Sequence, residues 1–286
     1  MSLTTAGVVL AFRPDASIVD HVALLAEQAD HVYVVNNSPE DEETRRVLAG
    51  LDRGRVTVLD QAENVGVAAG FNAGMRRGLR DGHDFLWIFD QDSTVAPGML
   101  AELRRAFTDW RRPVAIAGPS LRAEETGHLY DAHREGMAEL QTLISSGALF
   151  SRAALERIGL HDERLFIDYV DHDISLRARR AGLATVKVFD TVLDHRFGAS
   201  TPATFLGRRI YLSNYSPMRQ YYMARNRVIM VRRHGIGRWF WEDVAYATKA
   251  WIKVLLCERG RGPKIGAAVR GTIDGVRFRD VKTIVG

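Results

Sequence analysis

One cysteine in 286 residues, Cys257, excludes an internal disulfide and fits a reducing compartment. Long apolar runs are missing too. No uncharged stretch reaches the roughly 18–20 residues of a membrane span. The first residues, Met1 to Thr5, lack the basic segment and apolar core of a secretory leader. The expectation is a cytoplasmic protein. Acidic residues are scarce at the carboxyl end, where residues 205–286 hold 17 Lys+Arg against 5 Asp+Glu, a balance of +12. The first 204 residues carry −8, so the net +4 of the chain conceals an asymmetry. A basic segment on an acidic body suits a polyanionic partner such as an anionic membrane, phosphorylated lipid or nucleic acid. Otherwise the composition, 46% hydrophobic and 26% charged, is that of a soluble globular protein. The length suits one large domain, or one domain with a helical appendage.

The stretch that organises the chain is Phe85-Leu86-Trp87-Ile88-Phe89-Asp90-Gln91-Asp92-Ser93. Five apolar residues in a row read as a strand buried on both faces of a parallel sheet. In open α/β sheets ligands bind at the carboxyl ends of such strands. Two carboxylates one residue apart at that end repel each other unless a cation or proton lies between them. Hard oxygen ligands facing a phosphate-bearing substrate suit Mg²⁺ or Mn²⁺. An acidic loop at a strand end is the plain alternative.

Upstream, Gly7 to Phe12, His31 to Val35 and Arg55 to Leu59 read as strands, with a helix through Val19, Val22, Leu24 and Leu25 and an acidic helix start at Glu40 to Glu43. This alternation predicts a doubly wound sheet. Asn64 to Gly74 is dense in small residues, which lets a helix begin close to an anion or pack tightly on a sheet. It matches neither the dinucleotide fingerprint nor a phosphate loop. Downstream, Pro97 to Trp110 reads as a helix, Val114 to Pro119 as a strand, and 120–139 as a loop or short hairpin. Ser145, Ser146 and Gly147 lie in an apolar run, Leu143 to Phe150, where a strand would admit either a ligand or a bulge.

A second acidic cluster holds Asp168, Asp171 and Asp173. Asp173 reads as a helix cap. Asp171, after Tyr169-Val170, is the better candidate for a partly buried working carboxylate. Gly182 stops that helix. Val186 to Phe189 is another strand, followed by Val192 to Arg196 with His195 as a metal ligand, phosphate contact or structural histidine. Met218 to Gly235 and Trp239 to Leu256 read as helices, the second with aromatic, apolar and basic residues that suit an anionic membrane or a partner subunit. Their aromatics recur at helical spacing and do not form a sheet of stacking platforms, which argues against nucleic acid.

In these motifs the chain resembles glycosyltransferase family 2, with the GT-A fold, and within it the rhamnosyltransferase branch. The matching stretches are Phe89-Asp-Gln-Asp-Ser93, Leu143-Ile-Ser-Ser-Gly147, Leu165-Phe-Ile-Asp-Tyr-Val-Asp171 with Ser175-Leu-Arg177, and Tyr221-Tyr-Met-Ala-Arg-Asn226. The resemblance implies an α/β, Rossmann-like and mostly parallel sheet flanked by helices over residues 1–204. A basic, amphipathic helical region over 205–286 would contact membrane or an oligomer partner. It implies inverting transfer from dTDP-L-rhamnose to a glycolipid or polysaccharide acceptor, with Asp171 as general base. Asp90, Asp92 and His195 would hold Mg²⁺ or Mn²⁺. Arg13, Asn36, Asn37, Asn64, Gly66, Asn72, Asp90 and Gln91 fall on the nucleotide-sugar side, and Ser146, Gly147, Asp168 and Arg225 on the acceptor or sugar side. One departure stands out: the family commonly has Asp where this chain has Asn36, which keeps a hydrogen-bond acceptor but loses the charge. Other donors (galactofuranose, glucose, N-acetylglucosamine) fit the same machinery, and a noncatalytic nucleotide-sugar or polyanion-binding module is the reading from a different class.

Overall fold

The computed structural model describes residues 3–124, 126–130, 134–196, 201–205 and 208–279. They fall into two compact units: one holds residues up to Phe166 and Val170–Arg196, the other Ile167–Tyr169 and the residues from 201 onward.

The first unit alternates strands and helices as β1 (Thr5–Ala11), α1 (Ile18–Ala26), β2 (His31–Asn36), α2 (Glu42–Leu48), β3 (Val56–Asp60), α3 (Gly66–Arg80), β4 (Phe85–Asp90) and β5 (Ser93–Thr94). It continues through α4 (Met99–Asp109), β6 (Val114–Ala123), β7 (Met137–Glu139), β8 (Ala148–Ser151), α5 (Arg152–Ile158), a 3-10 turn (Glu163–Leu165), α6 (Val170–Arg180) and β9 (Ala184–His195). The strands lie in the order β3-β2-β1-β4-β8-β6-β9-β5, with β7 on β9. β3, β2, β1 and β4 are mutually parallel, β8 is antiparallel to β4 and β6, and β6 is parallel to β9.

The apolar run Phe85–Phe89 is buried throughout because β4 lies inside this sheet, between β1 and β8. α3 lies tightly on the sheet because Gly70, Gly74 and Gly78 recur along one face. A Cβ at these positions would run into Leu10, Val8 and Leu86 respectively. Close helix–sheet packing therefore accounts for most of the small residues that also suited a ligand. Leu24, expected on the buried face of α1, is exposed, and Ile18 takes its place with Val22 and Leu25.

Other expectations change in detail. β8 begins only at Ala148, so Ser145, Ser146 and Gly147 lie in the turn before it. Asp173 is not a cap: it is buried inside α6 and paired at 2.9 Å with Arg177. The two short segments around Val186 and Val192 are one strand, β9. Its register against β6 jumps between Pro119↔Val188 and Ser120↔Val192, so Phe189, Asp190 and Thr191 bulge from the ladder. Within the span expected as irregular, β6 runs on to Ala123 and β7 forms; residues 125 and 131–133 lie outside the described residues.

His161 sits in the core with its ring 5.9 Å from both Phe71 and Phe150. Neither ring nitrogen has a hydrogen-bond partner among the described residues. Burial, reinforced by Arg177, pushes its pKa from the ordinary 6.5 down to about 4. Above pH 6.5 the ring is neutral whether the chain is folded or not. Below that value the unfolded chain takes up a proton that the folded core refuses, so stability falls as pH drops from 6.5 toward 4. The expected loss from this group between pH 7 and pH 5 is about 2 kcal/mol. Urea unfolding at the two pH values should show a smaller acid loss for His161→Leu than for the parent; equal losses would refute the neutral assignment.

The second unit contains the hairpin β10 (Thr201–Phe205) and β11 (Arg208–Leu212), then α7 (Pro217–His234), α8 (Arg238–Leu256) and α9 (Arg261–Arg277). α7 starts with a Ser216 cap and a proline in its first turn, and stops at Gly235. No helix of the described residues is long and apolar enough to cross a membrane.

Candidate functional site

The acidic strand β4 delivers Asp90 to the end of the sheet, and three residues later, at Ser93, the chain pairs again, as β5, with the end of β9. This pairing sets Ser93 opposite His195. One ligand atom each from Asp90, Asp92 and His195 then lies within 4.8 Å of the others. His195 Nε2 is 3.9 Å from Asp90 Oδ2, and Nδ1 is 3.4 Å from Asp92 Oδ1. A hydroxyl pair holds the arrangement from beneath. Ser93 Oγ lies 3.0 Å from His195 Nδ1 and 2.7 Å from Ser146 Oγ, and Ser146 Oγ accepts from the Asp90 amide at 3.2 Å. Ser146, expected on the sugar side, is buried and braces the cluster through these two bonds. Gly147, also expected on the sugar side, is buried, and its carbonyl accepts from the Trp87 indole at 3.0 Å. Ser93 is the member that sequence reasoning missed; its position after Asp-x-Asp was the signal.

The cluster fits a hard divalent ion. Two carboxylates and an imidazole are a suitable donor set. Asp92 Oδ1 is buried and makes no hydrogen bond among the described residues. Burial raises the Asp92 pKa, while the His195 charge works in the opposite direction. A carboxylate oxygen buried without a hydrogen bond, with only the imidazole 3.4 Å away, is costly and would be relieved by a cation.

Around the ends of β1, β2 and β3 lie the residues expected on the nucleotide side. The Gln91 side chain accepts from the Phe12 amide at 2.7 Å, tying the end of β1 to the acidic turn. Arg13 is exposed, with φ 47° and its amide donating to Ser38 Oγ at 2.9 Å. Asn37 and Asn64 form an amide clamp: Asn37 Nδ2 donates to Asn64 Oδ1 at 3.0 Å, and Asn64 Oδ1 also accepts from the Gly66 amide. Gly66 has φ 81°, and a Cβ there would strike the Phe166 ring, so any other residue is excluded twice over.

Two expectations are corrected here. Asn36 is buried with both ends of its side-chain amide in internal hydrogen bonds; Nδ2 donates to Asp60 Oδ1 at 2.8 Å and Oδ1 accepts from the Ser38 amide at 3.1 Å. The exposed acid at this sheet end is instead Asp60, which pairs with Asn36 in register at the end of β3. Asn72 is likewise internal. Its Nδ2 donates to His161 O and Glu163 Oε1, and its Oδ1 accepts from the His161 amide, so it braces α3 against the following segment.

Asp171 lies in the first turn of α6, with 20% of its side chain exposed. Its Oδ1 accepts from the His172 amide at 2.8 Å and lies 2.9 Å from His172 Nδ1. Burial alone would raise its pKa, but the His172 charge and hydrogen bonds outweigh that and hold the carboxyl below its ordinary value. Such a group is an ionised acceptor of protons at neutral pH.

In the second unit, Arg219 grips Asp168 at 2.9 and 3.1 Å. The Arg225 guanidinium lies 4.7 Å from the Tyr222 ring and donates to Asn226 Oδ1 at 3.0 Å. Both residues expected on the acceptor side are thus tied into this unit.

The family described as Glycosyltransferase like family 2 matches residues 5–210. The chain is 25% identical to the dTDP-rhamnosyl transferase RfbF of Shigella flexneri, covering 94% of each sequence. It is 28% identical to the galactofuranosyltransferase GlfT1 of Mycobacterium tuberculosis, covering 89% of this chain and 94% of the other. Among solved structures, S. aureus TarS 1-349 in complex with UDP-GlcNAc superposes with a TM-score of 0.61 at 14% identity, over 96% of this chain and 82% of that one. The architecture is the GT-A-type α/β fold, with helices flanking a mostly parallel sheet.

Proposed function

The chain belongs to the glycosyltransferase-like family 2, and from that membership we propose an inverting, divalent-metal-dependent rhamnosyltransferase. It moves L-rhamnose from dTDP-L-rhamnose to a hydroxyl of a glycolipid or cell-surface polysaccharide. The observation that carries the reading is the Asp90–Asp92–His195 cluster at the sheet end, with an Asp92 oxygen that is buried and makes no hydrogen bond among the described residues. Likeness to RfbF along nearly the whole chain supports the sugar. Likeness to GlfT1 supports a second reading, with a galactofuranosyl donor and the same chemistry.

In this reading the exposed Arg13, the clamped loop at Asn64 and Gly66, and Asp60 in place of Asn36 line the nucleotide side. Asp60 can accept a hydrogen bond from a pyrimidine N3–H, supplying the charge that position 36 lacks. Asp90, Asp92 and His195 would hold Mg²⁺ or Mn²⁺, which when bound stabilises charge on the departing diphosphate. Asp171 takes the proton of the acceptor hydroxyl as that oxygen attacks the anomeric carbon from the face opposite the diphosphate. The bond from that carbon to the diphosphate oxygen breaks, its electrons leave with dTDP, and the centre inverts.

The basic helices supply the proposed membrane contact at the cytoplasmic face. Exposed apolar residues run along α8 (Trp241, Ile252, Leu255, Leu256) and α9 (Ile265, Val269, Ile273, Val276). Apolar faces within a +12 segment suit an anionic bilayer surface. A second copy of the chain is the other occupant this face would accept.

Release of nucleoside diphosphate from a panel of nucleotide sugars, with Mn²⁺, Mg²⁺ or EDTA, tests the proposal without a known acceptor. The expected result is slow release from dTDP-L-rhamnose that EDTA abolishes. Release from another donor would replace the sugar and keep the mechanism. Absence of both release and metal-dependent donor binding would leave the noncatalytic module.

A further inference from the structure

A cleft opens inside the helical unit, between residues that recur at helical spacing on α7 and α8. Gln220, Ala224 and Arg227 line it from α7, and Ala247, Ala250 and Val254 from α8. Alanine at three of these positions leaves space that longer side chains would fill. The cleft holds about 150 Å³, against the roughly 10–15 Å³ that a single water needs. Every residue lining it belongs to this one unit.

One polar group in the lining is left over. Gln220 is 6% exposed, yet its side-chain amide makes no hydrogen bond among the described residues. Buried amides are normally paired, so its two donors and its acceptor are kept for whatever enters the cleft. The charges are also out of balance. Glu258, the acid of the lining, is already matched by Lys264 Nζ at 2.6 Å and accepts from the Asn214 amide at 3.0 Å. Arg227 is matched by Asp243 at 2.7 Å. Lys249 and Lys253, one turn apart on α8, are not. Lys253 Nζ donates at 3.1 Å to the neutral carbonyl of Tyr211, and exposed Lys249 forms no ion pair among the described residues.

We propose that this cleft is a binding site for the phosphate head of a lipid. Two uncancelled ammonium groups call for an anion, and the Gln220 amide can donate to its oxygens. Apolar contact continues on both sides of the charges. Met223, Trp251 and Val254 lie within the cleft, and exposed Leu256 stands three residues beyond Lys253 on the same face of α8. A phosphate seated between the lysines therefore has an apolar path for the chain attached to it. The site gives the membrane contact proposed for α8 and α9 a specific ligand, and it does not depend on the transfer reaction.

The test is calorimetric binding of dioctanoyl phosphatidic acid, below its micelle concentration, to the full-length protein and to Lys249→Ala and Gln220→Leu. Dioctanoylglycerol and inorganic phosphate serve as the two halves of the ligand. The expected result is binding of the phosphatidic acid, weakened about tenfold in each variant, with inorganic phosphate bound far more weakly and dioctanoylglycerol not at all. Gln220→Leu changes no charge, so diffuse attraction to a basic surface would survive it. Lys249→Ala, at an exposed position, is the variant least able to disturb folding. Affinity equal to the parent's in both variants overturns the proposal, as does a parent that ignores phosphatidic acid. Inorganic phosphate bound as tightly as phosphatidic acid overturns the lipid assignment in favour of a free phosphate ester, and equal binding of dioctanoylglycerol overturns the phosphate. Donor turnover is followed in parallel. A parent that binds the lipid but hydrolyses no nucleotide sugar loses the transfer reading alone, and the reverse outcome removes the cleft alone.

Discussion

Asp171→Asn should lower kcat by about 10²–10⁴-fold, the usual contribution of a general base, while the donor dissociation constant stays unchanged. The substitution is nearly isosteric, and the amide oxygen can still accept from the His172 N–H that holds the carboxylate at 2.8 Å. What disappears is the ability to take a proton. His172 keeps Asp171 below the ordinary carboxylate range, so the parent protein retains this proposed base in the ionised form from neutral pH down through mildly acidic conditions. The acid limb of its kcat profile should accordingly fall below the usual carboxylate value. Transfer rates and donor calorimetry on the two proteins check the prediction. A fully active Asp171→Asn would move the base elsewhere.

Asp92→Ala should have an effect of similar size by another route. Loss of a carboxylate from a metal-binding set removes several kcal/mol of transition-state stabilisation, or about 10²–10³-fold in rate. Here the donor-binding isotherm should lose its dependence on Mn²⁺ as well, unlike that of Asp171→Asn. A third readout separates function from fold. Asp92 Oδ1 is buried without a hydrogen bond among the described residues, so the metal-free protein bears the cost of a desolvated charge. Removing that charge should leave the melting temperature of the metal-free protein unchanged or higher, as sites kept for function at the expense of stability commonly do. A variant that loses activity together with stability would point to a structural role for Asp92.

The sequence made the strand with its two acids legible because an unbroken apolar run ending in carboxylates has few structural meanings. The same holds for α7 and α8, whose start and stop signals lie in the chain itself. What it could not convey was which polar side chains face inward. Asn36, Asn72 and Ser146 carry groups suited to ligands, yet each spends them on partners 24, 89 and 53 residues away. Such pairings depend on register across the sheet and on which face of a helix meets which loop. Asp60 was overlooked for the same reason, since only the pairing of β2 with β3 puts it beside Asn36. The positive φ of Phe166, Asp168 and Tyr169 had no signal at all, since the partners of this turn, such as Asn226 on the carbonyls of Ile167 and Asp168, lie far away in the chain.

The three residues that bulge from β9 set a count. From Val188 to His195 the chain must spend an exact number of residues for the imidazole to arrive opposite Ser93. Because strand neighbours point to opposite sides, removing one residue in 189–191 with the pairing at Val188 kept would deliver Arg196 to that place, and adding one would deliver Asp194. Either change would alter the composition of the donor set while every original donor remained in the sequence. Length in this segment is therefore a determinant of chemistry, and a shortened or extended relative could differ in its ion while matching this chain at Asp90, Asp92 and His195.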